Sequence, residues 1–199
     1  DGTIRELDLF MLESVLKQLS VWRRMGLPPV TVSVNMSRHT LFNSTVFASV
    51  LAIQSRYPDV PPEQIELEIT ETAGDMEKAT LACIVDNFRE CGIQFELDDF
   101  GSGYANISIF SNIRFHTIKL DRSLINDLPD NEISRMLVEN IVQVCHNFGM
   151  TCVAEGVETA RQETVLLNSG CNFGQGYRYA RPMPAAEFEI RYLGRHGEN

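Results

Sequence analysis

Three short apolar segments of this chain finish on a polar side chain and two more carry one next to or just past their last residue, and that repeat constrains the fold more than any other feature. Val30, Val32, Val34 and Met36 share one face of the first segment, with Ser33 and Asn35 on the other. IELE ends on Glu68 and FELD on Asp98, TIKL sets Lys119 between Ile118 and Leu120, and TCVA runs straight into Glu155. Alternation with a period of two is the mark of a half-buried strand. Between the strands lie helical stretches at Ile4–Met25, about Ser44–Tyr57, Met76–Cys91, Glu132–Phe148 and Arg161–Asn168. A short helix follows the FELDD strand, and a short extended piece precedes Gln175. In the first helix Leu7, Phe10, Met11, Val15, Leu19 and Trp22 fall near one stripe, and Gly26 with Pro28-Pro29 stops it. Strand–helix alternation of this kind predicts an α/β fold with a parallel sheet covered by helices, in one domain spanning 1–199.

In a parallel barrel the apolar face of each strand meets the helices, and inward residues at the carboxyl ends converge on one mouth. Asn35, Glu68, Asp98, Asp99, Lys119 and Glu155 are then expected to share a pocket. Its donors are oxygens with one cationic side chain, which suits Mg²⁺ or Mn²⁺ rather than zinc. The stretch FELDDFGSGY carries the densest part of it. Asp98 closes a strand face, and Asp99 is expected on the turn beside Gly101 and Gly103. Two adjacent acids are costly to hold together without a cation, although an Asp-rich turn is the ordinary meaning of such a string alone. Lys119 taken alone reads as a surface lysine, and its place inside an apolar strand argues otherwise. Glu66 and Glu96 share the inward parity and are expected to be buried below the ligands.

Composition excludes several classes of function. Seventeen basic against 27 acidic side chains leave a net charge of −10, which disfavours a nucleic-acid polymer or an anionic membrane as partner. Cys83, Cys91, Cys145, Cys152 and Cys171 show no CxxC spacing, so reduced and mostly buried thiols in a cytoplasmic protein are expected. The four histidines fit no metal spacing. The chain begins at Asp1, and the expectation is that it is part of something longer.

ELEITET, DDFGSGY, TIKLDRSLI, VAEGVET and GQGYRYARPMP resemble, in this order, the motifs of EAL-domain cyclic di-GMP phosphodiesterases. The resemblance runs from about Leu7 to Phe188. Departures are Ser102 where the family often has Thr, and Ala105-Asn106 where it often has Ser-Ser. The resemblance implies a TIM-barrel-like (β/α) fold whose first strand carries the Glu-Ala-Leu signature. About one strand–helix unit, with the signature Glu, is expected to be missing from this chain, and a barrel so shortened is expected to self-associate. It further implies two divalent cations, Mg²⁺ or Mn²⁺. Asn35, Glu68 and Asp98 are expected to hold one, and Asp98 with Asp99 the other. Lys119 is expected to hydrogen-bond the attacking water or a phosphate oxygen, and Glu155 to bind metal or orient water. Gln175 and Arg181 are expected at the substrate, Arg181 also reading as a solvated arginine. Glu71 and Glu158 are expected to brace the DDFGSGY loop. The activity implied is hydrolysis of cyclic di-GMP to linear pGpG in bacterial signalling, in the cytoplasm. The alternative is a catalytically silent module that binds cyclic di-GMP or a protein partner.

Overall fold

Six strands form one sheet in chain order: β1 (Val32–Asn35), β2 (Ile65–Thr70), β3 (Gln94–Phe100), β4 (Thr117–Leu120), β5 (Thr151–Ala154) and β6 (Phe173–Gly174). The structure is a computed structural model and describes residues 2–70, 78–102, 109 and 113–194. The pairs β3–β4, β4–β5 and β5–β6 are parallel. Helices α1 (Gly2–Arg24), α2 (Arg38–Leu41), α3 (Val46–Gln54), α4 (Lys78–Glu90), α5 (Arg122–Asn126), α6 (Glu132–Asn147), α7 (Ala160–Asn168) and α8 (Ala185–Phe188) complete the alternation. The α/β class, and the bounds of β2, β4 and β5, agree with the reading of the sequence.

Two compact units divide the chain. The first comprises Asp1–Leu67, Asn87–Gln94 and Pro182–Asn199, the second Glu68–Asp86 and Phe95–Arg181. In the first, α1 buries Leu12, Leu16, Leu19 and Trp22, and it packs on α2, α3 and β1. The predicted stripe is therefore only partly right: Leu7, Phe10 and Met11 are exposed. The helix carries apolar residues on two faces, and its neighbours select the face at Leu12, Leu16 and Leu19, spaced i, i+4, i+7. Three short helices, α2, α5 and α8, escaped the sequence reading. Helices α2 and α5 begin at a side-chain cap, Ser37 accepting from the Thr40 N–H and Asp121 from the Ser123 N–H.

In the second unit the core lies between β3–β5 and α6 and α7, through Phe95, Leu97, Ile118, Leu120, Val138, Val142 and Leu166. One irregularity positions the chemistry. The β3–β4 register runs Leu97 opposite Ile118 and then jumps to Phe100 opposite Leu120. Asp98 and Asp99 thus stand together against Lys119 alone, which is a β-bulge. Asp99 takes the left-handed conformation there, with φ of 56°. The expectation that Asp99 lies on a turn is corrected: β3 continues through Asp99 to Phe100, because the bulge absorbs the reversal that the following glycines suggested.

Candidate metal centre

Consecutive residues of a regular strand point to opposite faces. The bulge cancels that rule and lets two adjacent carboxylates serve one site. Asp98, Asp99 and Glu155 each offer a carboxylate oxygen within 4.8 Å of the others. Glu155 reaches this point because β5 pairs in unbroken register with β4, Lys119 level with Val153. In-register residues share a face, and Glu155 follows Val153 by two positions. Its N–H closes the ladder on the Leu120 carbonyl at 3.0 Å.

Lys119 is buried among these acids, 7% exposed. Its Nζ lies 2.7 Å from Glu68 Oε1, 2.7 Å from Glu155 Oε1 and 3.5 Å from Asp98 Oδ1. Burial alone would lower its pKa, but the hydrogen bonds to Glu155 and Glu68 raise it above the ordinary lysine value. Lys119 is therefore a fixed cation. The acids respond in the opposite sense to a site with too much negative charge. Burial pushes Glu68 up to about 7 against the pull of Lys119. Glu155 is raised by burial, and Asp99 by burial and then by Asp98. Fully ionised, four carboxylates against one ammonium leave three uncompensated negative charges. Such a site takes up protons or cations.

The residues fit a hard divalent cation. Asp98 Oδ1 is buried with no hydrogen-bond partner among the described residues, and every donor in the cluster is a carboxylate oxygen. Five of the predicted site residues, Glu68, Asp98, Asp99, Lys119 and Glu155, thus come together. Gln175 is exposed just after β6, its N–H bonded to the Ala154 carbonyl at 2.8 Å. Asn35 closes β1 in the first unit and is exposed. Arg181 is exposed, its guanidinium 4.2 Å above the Tyr177 ring. Glu158 pairs with Arg122 at 2.9 Å. Glu71, Gly103, Ala105 and Asn106 lie outside the described residues. Glu66 and Glu96 are buried, as expected.

The sequence reading missed the part played by α5. A Cβ on Gly156, whose φ is 68°, would lie 2.6 Å from Arg122 Cγ, and one on Gly101 would meet the Leu124 side chain. These two glycines let α5 approach the backbone on either side of the carboxylates. The available signal was the capping aspartate in the string LDRS.

The sequence profile of the EAL domain matches residues 1–182. The chain belongs to the EAL domain family. Cyclic di-GMP phosphodiesterase PdeR of Escherichia coli is 32% identical over 199 residues, covering 98% of this chain and 30% of PdeR. Signaling protein YkoW of Bacillus subtilis is 27% identical over 94% of this chain and 23% of its own length. The chain thus spans less than a third of either relative. Among solved structures, the PaMucR phosphodiesterase in complex with c-di-GMP matches at a TM-score of 0.86 and 28% identity, over 94% of this chain and 75% of that one. A Klebsiella pneumoniae BlrP1 complex with manganese and cyclic di-GMP matches at 0.74 and 27% identity, over 87% of this chain and 44% of that one. The TIM-barrel-like EAL fold implied by the motifs is therefore the fold of this chain.

Proposed function

We propose that this chain is a cyclic di-GMP phosphodiesterase domain that hydrolyses one phosphodiester to give linear pGpG. The observation that carries the reading is the bulge that sets Asp98 and Asp99 beside Glu155 and the buried Lys119. The phosphodiesterase names of the relatives and the nucleotide in the PaMucR structure support the same substrate.

Glu68, Asp98, Asp99 and Glu155 are the residues that would hold two divalent cations, Mg²⁺ or Mn²⁺. When bound, such cations lower the pKa of water and offset charge on the phosphate. Lys119 stays an ammonium, so it acts as hydrogen-bond donor to the attacking water or a phosphate oxygen, never as general base. Glu155 orients the water while tied to Lys119. Gln175 and Arg181 contact the substrate, and Glu158, with Glu71, braces the loop after β3. Water attacks phosphorus, the P–O bond to the departing sugar oxygen breaks, and the dinucleotide is left linear.

No helix among the described residues is long and apolar enough to cross a membrane, and the reading places the domain in the cytoplasm. The reading includes self-association of the shortened barrel, which sedimentation at graded concentrations tests. The function is tested by following pGpG release with Mn²⁺, with EDTA, and in Asp98→Asn. Release that survives EDTA or the substitution overturns the metal-centred reading. Tight cyclic di-GMP binding with no turnover replaces it with the silent receptor.

A further inference from the structure

Three buried thiols meet beneath the strand ends that carry Glu155 and Gln175. Cys145 lies on α6, Cys152 in β5, and Cys171 between α7 and β6, each no more than 3% exposed. The Cys152 thiol is within hydrogen-bonding range of both Cys145 and Cys171. Cys171 Sγ stands 3.5 Å from the Cys152 carbonyl oxygen and 3.4 Å from that of Phe173. All are free thiols, and nothing in the carboxylate site uses them. They are not gathered around one cation: among the described residues, the ligand set whose atoms all lie within 4.8 Å of one another is Asp98, Asp99 and Glu155.

The two possible thiol pairs differ in freedom. Cys145 belongs to a helix of 16 residues, so bringing it closer means moving α6. Cys171 precedes β6, which has two residues, both exposed, and ends the sheet order. An edge so short opens readily, which admits a small oxidant. Val153 pairs with Phe173, so Asn172 is level with Cys152 and Cys171 is one residue back. Neighbouring strands lie about 4.8 Å apart and one residue rises about 3.3 Å, so this diagonal pair is about 6 Å apart at Cα, inside the ~4.4–6.8 Å that a disulfide spans.

We propose that Cys152 and Cys171 form a reversible disulfide under hydroperoxide, a redox modification site that pins the β5–β6 edge. The Cys171 thiolate takes the terminal oxygen of hydrogen peroxide, giving a sulfenic acid and hydroxide. The Cys152 thiol then attacks that sulfur, the S–S bond forms, and water leaves with the second oxygen. Two thiols are oxidised by two electrons, and one peroxide is reduced to two waters. A hydrogen bond from Cys152 lowers the pKa of Cys171 and of Cys145 alike, and of these two Cys171 lies beside the short edge, which makes it the first to react. Glu155 follows Cys152 by three residues and Gln175 follows Cys171 by four, so the crosslink ties together the strands that deliver both.

The test uses the full chain, treated with hydrogen peroxide, unfolded, alkylated and mapped by mass spectrometry. Expected is a peptide joining Cys152 to Cys171, absent after dithiothreitol, with Cys145 still alkylated. Hydrogen exchange at the Gln175 amide, which donates to the Ala154 carbonyl, is expected to slow at least several-fold on oxidation. In Cys171→Ser the crosslink is lost while Cys152 stays reduced. A Cys145–Cys152 peptide, a sulfinic acid at Cys171 without crosslink, or two unreacted thiols overturns the proposal. A crosslink that leaves the Gln175 exchange rate unchanged overturns the pinning of the edge.

Discussion

The β3–β4 pair and the β4–β5–β6 run end at the same site by different means. The first breaks register and gathers two adjacent acids against one lysine. The second keeps register throughout and brings one residue, Glu155, to the carboxylates, while Gln175 follows β6 with its N–H on the Ala154 carbonyl. Regular pairing places side chains, whereas the irregularity concentrates charge. The cost of that concentration shows in the raised acids and in the left-handed Asp99. Charge is thus concentrated where the sheet is least ideal.

The comparison is broken most directly at the bulge. Asp98→Asn should lower metal-dependent turnover by at least about 100-fold, since even indirect partners of a metal cost 10–100-fold. Gln175→Ala, at the regular end, should retain far more, and equal losses in the two variants would erase the distinction. Lys119→Met removes the one cation among four carboxylates. The metal-free protein should lose about 3 kcal/mol, as when one partner of a buried ion pair is removed. Mn²⁺ should restore part of that loss in thermal melts.

The pH dependence sharpens the same point. Glu68 is raised from 4.5 to about 7 in the folded protein, so folding binds a proton there. That contribution is fully present below pH 4.5 and is lost as pH rises through about 7, up to about 3 kcal/mol in all. Glu155 and Asp99 are raised in the same direction. The metal-free protein should therefore melt progressively lower from weakly acidic to weakly basic pH, and Glu68→Gln should flatten the curve. The smallest expected effect is at Asp99→Gly. Relief of its left-handed backbone should add about 1 kcal/mol of stability while metal affinity falls. A variant that gains neither stability nor loses affinity would show that the bulge is unstrained.

Much of the site was legible from strand parity. Glu68, Asp98, Lys119 and Glu155 each follow from that pattern in the sequence, and in the structure the three acids meet the lysine. The bulge was not legible, because register belongs to a pair of strands and FELDDF alone does not report how TIKL lies against it. Gly101 looked like the start of the turn and drew Asp99 into it. Helices α2 and α5, of four and five residues, are too short to show a period. The buried face of α1 was ambiguous because apolar residues ring that helix, and only packing on α3 and β1 chooses between them.

The extra residue in β3 also sets how close this chain stands to its silent counterpart. Losing the single codon for Asp99 would leave Asp98 opposite Lys119 and Phe100 opposite Leu120, a ladder with every rung filled. One in-frame deletion thus separates a strained carboxylate pair from an ordinary strand, and a lineage can shed the pair while the sheet that presents the remaining acids is repaired by the same event.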